Sequence, residues 1–172
     1  MKYKFYKISK ESYDTSKEEK INFLSEDELQ TVFACIETSH KRYLLSWHCE
    51  ACSLLLREVE NGVFLLAIDL KVIVIDFKKE HYHEIELDFY FCEAVKISDA
   101  LYVICTQQEV MLLDIFTLSI VHSVHLSDSY ASCSIHHGFL EIHMMDGTCM
   151  KVNNAYLVED ISKVSSSQSL RS

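Results

Sequence analysis

Gly62-Val63-Phe64-Leu65-Leu66-Ala67-Ile68-Asp69-Leu70-Lys71-Val72-Ile73-Val74-Ile75-Asp76-Phe77 is the stretch on which the fold turns. Two apolar runs of strand length flank the short polar step Asp69-Leu70, and each run is bounded by a turn former or a charge. Alternation in a pleated strand puts Phe64, Leu66 and Ile68 on one face. Val63, Leu65 and Ala67 fall on the other, so this strand is apolar on both sides. The same pattern returns further along the chain. Gly62, Ala100 and Gly138 are spaced by 38 residues, and each precedes an apolar run: Val63 to Ile68, Leu101 to Cys105, Phe139 to Met144. Asp76 falls on Asp114 at the same offset, and Val59, Ile97 and Ile135 fall on one another. A period of this length signals a repeated supersecondary unit.

Each copy reads as four strands. Leu54 to Val59, Ala94 to Ile97 and Ser132 to Ile135 come first, followed by the three runs above. Lys71 to Phe77, Glu109 to Ile115 and Thr148 to Val152 return, and Glu84 to Asp88, Ile120 to Leu126 and Tyr156 to Ile161 close the units. Asp146-Gly147 is a two-residue hairpin signal. The closing strand slips by one residue between the first two copies, since Ile85 and Leu87 fall opposite Ser123 and His125. A bulge or a longer loop is expected there. In the third copy Glu141 and His143 replace apolar residues on one face, as expected for the last unit of an array.

Four-stranded meanders repeating at about 40 residues resemble the blades of a β-propeller. The resemblance covers residues 54–161 and rests on strand rhythm, without Trp-Asp or Gly-His signatures. It implies a mainly β fold of three four-stranded antiparallel meanders in propeller-like succession. Before them, Ser25-Glu26-Asp27-Glu28 reads as a capping box, and Leu29, Val32, Phe33 and Ile36 follow at helical spacing. One N-terminal amphipathic helix to about Ser39 is therefore expected, with strands at Tyr3 to Ile8 and Arg42 to Trp47. The organisation expected is a cap over 1–53, a three-repeat β domain over 54–161 and a polar tail over 162–172, with Lys10 to Lys20 as a charged linker.

Composition narrows the function. The 172 residues are 49% hydrophobic and carry 16 Lys and Arg against 26 Asp and Glu, a net charge of -10. Nucleic-acid binding through phosphates needs clustered positive charge, so it is not expected. The seven cysteines are odd in number and sit mostly in apolar runs, which points to a reducing, cytoplasmic setting. No apolar run reaches the ~20 residues of a membrane-spanning helix. No Gly-x-Ser-x-Gly, phosphate-cradling Gly-rich loop or His-Glu-x-x-His is present. Cys49-x-x-Cys52 has no second pair to complete a zinc site. His122 and His125 point to opposite strand faces, and His81 and His83, though on one face, belong to a solvated loop and strand edge. No cofactor and no metal are expected.

What remains is an acidic, aromatic-flanked run: Glu80, Tyr82, Glu84, Glu86, Asp88, Tyr90, Glu93 and Asp99. On a strand, Glu84, Glu86 and Asp88 alternate with Ile85 and Leu87, so the carboxylates share a face. Such a row can steer and hold a basic protein surface. Residues 1–20 hold six Lys against four acids, which leaves -12 on the remainder. A small acidic chain without catalytic motifs is similar in composition to bacterial immunity proteins, which bind and neutralise toxins. That likeness implies a non-enzymatic protein docking its acidic face on a basic, nuclease-type toxin domain. The alternatives are an adaptor that uses an open sheet edge for self-association or partner binding, and an enzyme whose site converges without a readable motif.

Overall fold

A computed structural model describes residues 2–24, 29–39, 41–48, 54–136, 139–153 and 156–163, with the backbone alone at residue 153 and from residue 156 onward. The described residues form four four-stranded sheets and one short helix. They divide into two compact units, Met1–Glu93 and Ala94–Ser172.

The first unit opens with β1 (Lys4–Lys7), α1 (Lys10–Thr15), β2 (Glu19–Asn22), β3 (Val32–Glu37) and β4 (Arg42–Trp47). Their sheet has the order β1-β3-β4-β2, with β2 parallel to β4. Strands were expected at β1 and β4, but the helix over 25–39 is corrected. Ser25 to Glu28 lie outside the described residues, Leu29 is 76% exposed, and Val32–Glu37 is a strand. The helical stripe coincides with a continuous apolar run, Val32 to Ile36, and such a run is what a strand covered on both faces requires. Val32, Ala34 and Ile36 pack into the main core of the unit, while Phe33 and Cys35 pack with Tyr13 and Leu44 on the opposite face. Tyr13 belongs to α1, so the segment expected as a linker supplies the covering helix. Ser9 caps that helix by accepting the Ser12 amide at 3.1 Å. The Tyr13 hydroxyl donates to Asn22 Oδ1 at 2.5 Å and lies 3.2 Å from Ser46 Oγ.

β5 (Leu55–Glu60), β6 (Val63–Ile68), β7 (Lys71–Asp76) and β8 (His81–Glu86) follow as an antiparallel meander. The face predicted as core, Phe64, Leu66 and Ile68, joins Ile73, Ile75 and Phe77 against Ile21, Phe23, Tyr43, Leu45 and Trp47 of the first sheet. Burying this many large apolar side chains, each worth about 1.5–3 kcal/mol, is the main source of stability in the unit.

In the second unit, β9 (Phe91–Lys96, which crosses the unit boundary), β10 (Leu101–Thr106), β11 (Glu109–Asp114) and β12 (Ser119–His125) form one meander. β13 (Tyr130–His136), β14 (Phe139–Met144), β15 (Thr148–Asn153) and β16 (Tyr156–Lys163) form another. Val103, Cys105, Val110 and Leu112 face Leu140, Ile142, Met144, Met150 and Val152 in its core. Three meanders therefore stand where the repeat placed them, and a fourth, differently wired sheet precedes them.

The repeat has a backbone rationale. The Gly62 and Ala100 carbonyls accept the Phe77 and Ile115 amides, both at 2.9 Å. Asp76 Oδ1 accepts the amides of Lys78 and Lys79 at 2.9 and 3.1 Å, and Asp114 Oδ1 those of Phe116 and Thr117 at 2.8 and 3.1 Å. Glu80 and Leu118, again one period apart, close these turns at φ 52 and 56. The period then lengthens: the amides that return to Leu70 and Gln108 belong to Leu87 and Leu126, 39 apart. The extra residue is Val121, skipped where the β11–β12 register jumps from Leu113↔Ile120 to Leu112↔His122. The β7–β8 ladder has no such break, so of the two expected causes it is a bulge, not a difference in loop length, that accounts for the slip.

Candidate functional site

β8 is the edge strand of the second sheet, paired with β7 in one unbroken register from Lys71↔Glu86 to Asp76↔His81. Tyr82, Glu84 and Glu86 share a face by alternation. Tyr82 turns its ring into the core, meeting Tyr43 edge-to-face with centroids 5.7 Å apart. Glu84 Oε2 accepts from Lys71 Nζ at 2.9 Å, with 31% and 16% of the two side chains exposed. These two residues are fastened inward, and Glu86 is exposed.

The strand ends at Glu86, so the expected row through Asp88 is corrected. The Leu87 amide bonds to the Leu70 carbonyl at 2.8 Å, and the Leu87 side chain is buried. Beyond that anchor the chain leaves the ladder, and Asp88 and Tyr90 are exposed in the connection to β9. The Phe91 amide ties this connection back to the Asp69 carbonyl at 2.7 Å. Glu93 is exposed on β9, and Glu80 is exposed at the left-handed position before β8. Asp99 belongs to the second unit and pairs with Lys96 at 2.8 Å, which holds its carboxyl below the ordinary range. Glu80 through Glu93 therefore belong to the first unit, and Asp99 belongs to the second.

The field of these acids reaches the interior. The Tyr43 hydroxyl is pushed up to about 12, first by burial and then by Glu19, Glu80, Tyr82 and Asp76. Tyr82 is raised by burial, Glu84 and Glu19. Glu19 was missed at the sequence level because it sat in the apparent linker; it stands on β2, paired with Lys41 at 3.1 Å. Lys78 and Lys79 are exposed beside Glu80, but Lys79 is spent on Asp76 at 3.1 Å.

Two other places on the molecule gather polar side chains. On the face of the β13–β16 sheet bearing Glu141, that carboxylate accepts from Cys149 Sγ at 3.4 Å and meets His136 Nε2 at 3.2 Å. Its pKa is lowered by the Cys149 bond, against desolvation, with help from Lys151, His143 and His136. Ser134 Oγ lies 3.2 Å from the same His136 nitrogen. A serine–histidine–acid relay uses both ring nitrogens, one for each neighbour, so this is a hydrogen-bond cluster without relay geometry. A cleft of about 260 Å³ is lined by Lys2, Tyr3, Lys4, Glu37, Thr38 and Ser39. Its carboxylate is already bound by Arg42 at 3.0 Å and Lys4 at 3.7 Å. Cys49 and Cys52 lie outside the described residues, and among the described residues no three His, Cys, Asp or Glu converge for a metal.

No protein-family model matches the chain, and no curated protein matches it. Solved structures do. Apo AztD from Citrobacter koseri matches with a TM-score of 0.53 and 10% identity over 76% of this chain and 42% of that one. The β-propeller domain of Cps50 (Swd1) from Myceliophteria thermophila matches at 0.52 and 12% over 74% and 40%. The WD40 β-propeller domain of Doa1 matches at 0.50 and 12% over 77% and 48%. The chain thus spans less than half the length of each of these structures, and its fold is propeller-like. No helix among the described residues is long and apolar enough to cross a membrane.

Proposed function

We propose that this chain is a non-enzymatic binding protein that receives a basic protein partner on the acidic edge of its second sheet. The observation that carries the reading is the exposure of Glu80, Glu86, Asp88, Tyr90 and Glu93 within one unit of a chain of net charge -10. Tyr82 and Glu84 act beneath them: the Tyr82 ring seats β8 on the core, and the Glu84–Lys71 pair holds its outer end. Carboxylates speed encounter through their long-range field, and an exposed aromatic ring supplies desolvated contact area once the partner is docked. The partner class that fits is a nuclease-type toxin domain, whose phosphate-binding surface is cationic, and docking there neutralises it by covering its substrate path.

The test is co-expression with the product of the neighbouring gene, followed by titration calorimetry of the purified pair. The expected result is rescue of growth and a binding constant that weakens at least ~10-fold between low and high salt, as screening of surface charge requires. Absence of rescue, or binding indifferent to salt and to Glu86→Lys/Asp88→Lys, overturns the reading.

A further inference from the structure

Lysines and aromatic residues alternate in Lys2-Tyr3-Lys4-Phe5, within a stretch, residues 1–20, that is basic by two charges in a chain of net charge -10. β1 runs antiparallel to β3 with Lys4 opposite Glu37, so the residues ahead of β1 lie beside those that follow β3. There Thr38 and Lys41 close the turn into β4: the Thr38 amide bonds to the Lys41 carbonyl at 3.0 Å, and the Thr38 hydroxyl accepts the Lys41 amide at 3.4 Å. The two segments enclose the cleft of about 260 Å³ lined by Lys2, Tyr3, Lys4, Glu37, Thr38 and Ser39. Its carboxylate is already neutralised. Glu37 Oε2 receives Arg42 Nε at 3.0 Å and the Tyr6 hydroxyl at 3.1 Å. Glu18 reaches the same guanidinium at 4.0 Å, an exposed contact that solvent screens. Lys4 stands 3.7 Å from the other Glu37 oxygen, beyond hydrogen-bond reach, with 79% of its side chain exposed. Among the described residues no ion pair holds Lys2. Two ammonium groups therefore remain to the cleft.

We infer that this cleft binds a small organic phosphate monoester, its phosphate between Lys2 and Lys4 and its organic group against Tyr3. Charge selects the phosphate. A monoester carries about -1.5 to -2 at pH 7 and matches two ammonium groups, whereas a monocarboxylate brings half of that. Lysine ammonium groups are point charges that follow a phosphate in any rotation, and the planar Arg42 fork, which suits a carboxylate, is already engaged by one. Size and the field of the whole chain exclude a larger anion. The volume falls below the roughly 300 Å³ at which sites for drug-sized ligands begin. A nucleic acid or an anionic membrane would meet the -10 of the chain over a wide front, while a small ion inside the cleft meets the lysines first. Tyr3 supplies the second contact. Its ring stands edge-on to the buried Phe64 ring with centroids 4.7 Å apart, so the core fixes this part of the wall.

Titration calorimetry and phosphorus NMR of the full chain with phenyl phosphate, at about 0.1 M salt, read this directly. The expected result is saturable binding with a Kd of about 1 mM or tighter. Inorganic phosphate, without the ring, is expected to bind at least ~3-fold more weakly, and benzoate, without the second charge, at least ~10-fold more weakly. Lys2→Gln/Lys4→Gln is expected to weaken phenyl phosphate at least ~10-fold. Lys17→Gln/Lys78→Gln removes two exposed lysines outside the cleft lining and is expected to change binding less than about twofold. Tyr3→Leu is expected to remove the preference for phenyl phosphate over inorganic phosphate and to leave inorganic phosphate bound as before. Circular dichroism confirms that each variant is folded. No saturable binding up to about 10 mM, benzoate bound as tightly as phenyl phosphate, or equal losses in the two lysine pairs overturns the inference. So does a folded Tyr3→Leu that keeps the full preference. Glu86→Lys/Asp88→Lys is expected to leave phenyl phosphate binding in place, so the cleft and the acidic docking site are judged separately.

Discussion

Two buried tyrosines, both nearly inaccessible to solvent, occupy opposite faces of the first sheet and differ in what their hydroxyls meet. Tyr13 bonds to Asn22 and Ser46, whereas the Tyr43 hydroxyl finds no partner among the described residues. Tyr13→Phe is therefore expected to cost about 1 kcal/mol in urea unfolding, and Tyr43→Phe to lie between no change and a gain of about 1 kcal/mol. Asp76 makes a pH prediction. Burial alone raises its carboxyl pKa, but the bonds from the Lys79 side chain and the Lys79 and Lys78 amides outweigh it and hold the value below the ordinary one. A carboxyl depressed on folding contributes stability that is fully present above its unfolded pKa, near 4, and is lost as pH falls through the folded value. Asp76→Asn is expected to be less stable at neutral pH and to show a smaller fall in urea midpoint between about pH 6 and pH 3. At this scale the sequence showed that Asp76 and Asp114 were equivalent but not why, because the amides they accept are defined only once the turns are closed.

Among the elements, the hairpin β14–β15 was the most legible, since Asp146-Gly147 carries its own conformational signal. Gly147 has φ 81, and a Cβ there would meet nothing within 4 Å. Gly147→Ala should thus cost only the left-handed backbone penalty, about 1 kcal/mol, and Gly147→Asn less, by thermal unfolding. The element least legible was β3. Leu29, Val32, Phe33 and Ile36 satisfy a helical stripe and a two-faced strand equally well, and what separates the two is cover on both sides: α1 through Tyr13, the second sheet through Phe64 and Phe77. α1 itself is six residues, too short to form alone, and was invisible because a single aromatic side chain holds it down.

For the whole molecule, charge sets what can approach and where. The acidic run was readable as composition, but its division was not: Tyr82 and Glu84 turn inward, Glu80, Glu86, Asp88, Tyr90 and Glu93 stay outside, and Asp99 lies in the other unit. This changes which substitutions are clean probes. Glu84→Lys would place a like charge on Lys71, so loss of binding in that variant would report a loosened strand. Glu86→Lys/Asp88→Lys is expected to weaken docking of a basic partner at least ~10-fold at low salt and far less at high salt, by calorimetry. Glu84→Gln is expected to leave docking within about twofold and to cost under about 1 kcal/mol of stability.

The sequence by itself determined the strand rhythm, the repeated turns and the one-residue slip of the closing strand, since these rest on local alternation and spacing that neighbours along the chain enforce. It also determined the acidic balance. Tertiary structure alone decided that Val32–Glu37 is a strand, that a fourth sheet precedes the repeats, and which acids reach solvent. Those outcomes depend on what covers each face, and the covering residues are distant in sequence and adjacent only after folding.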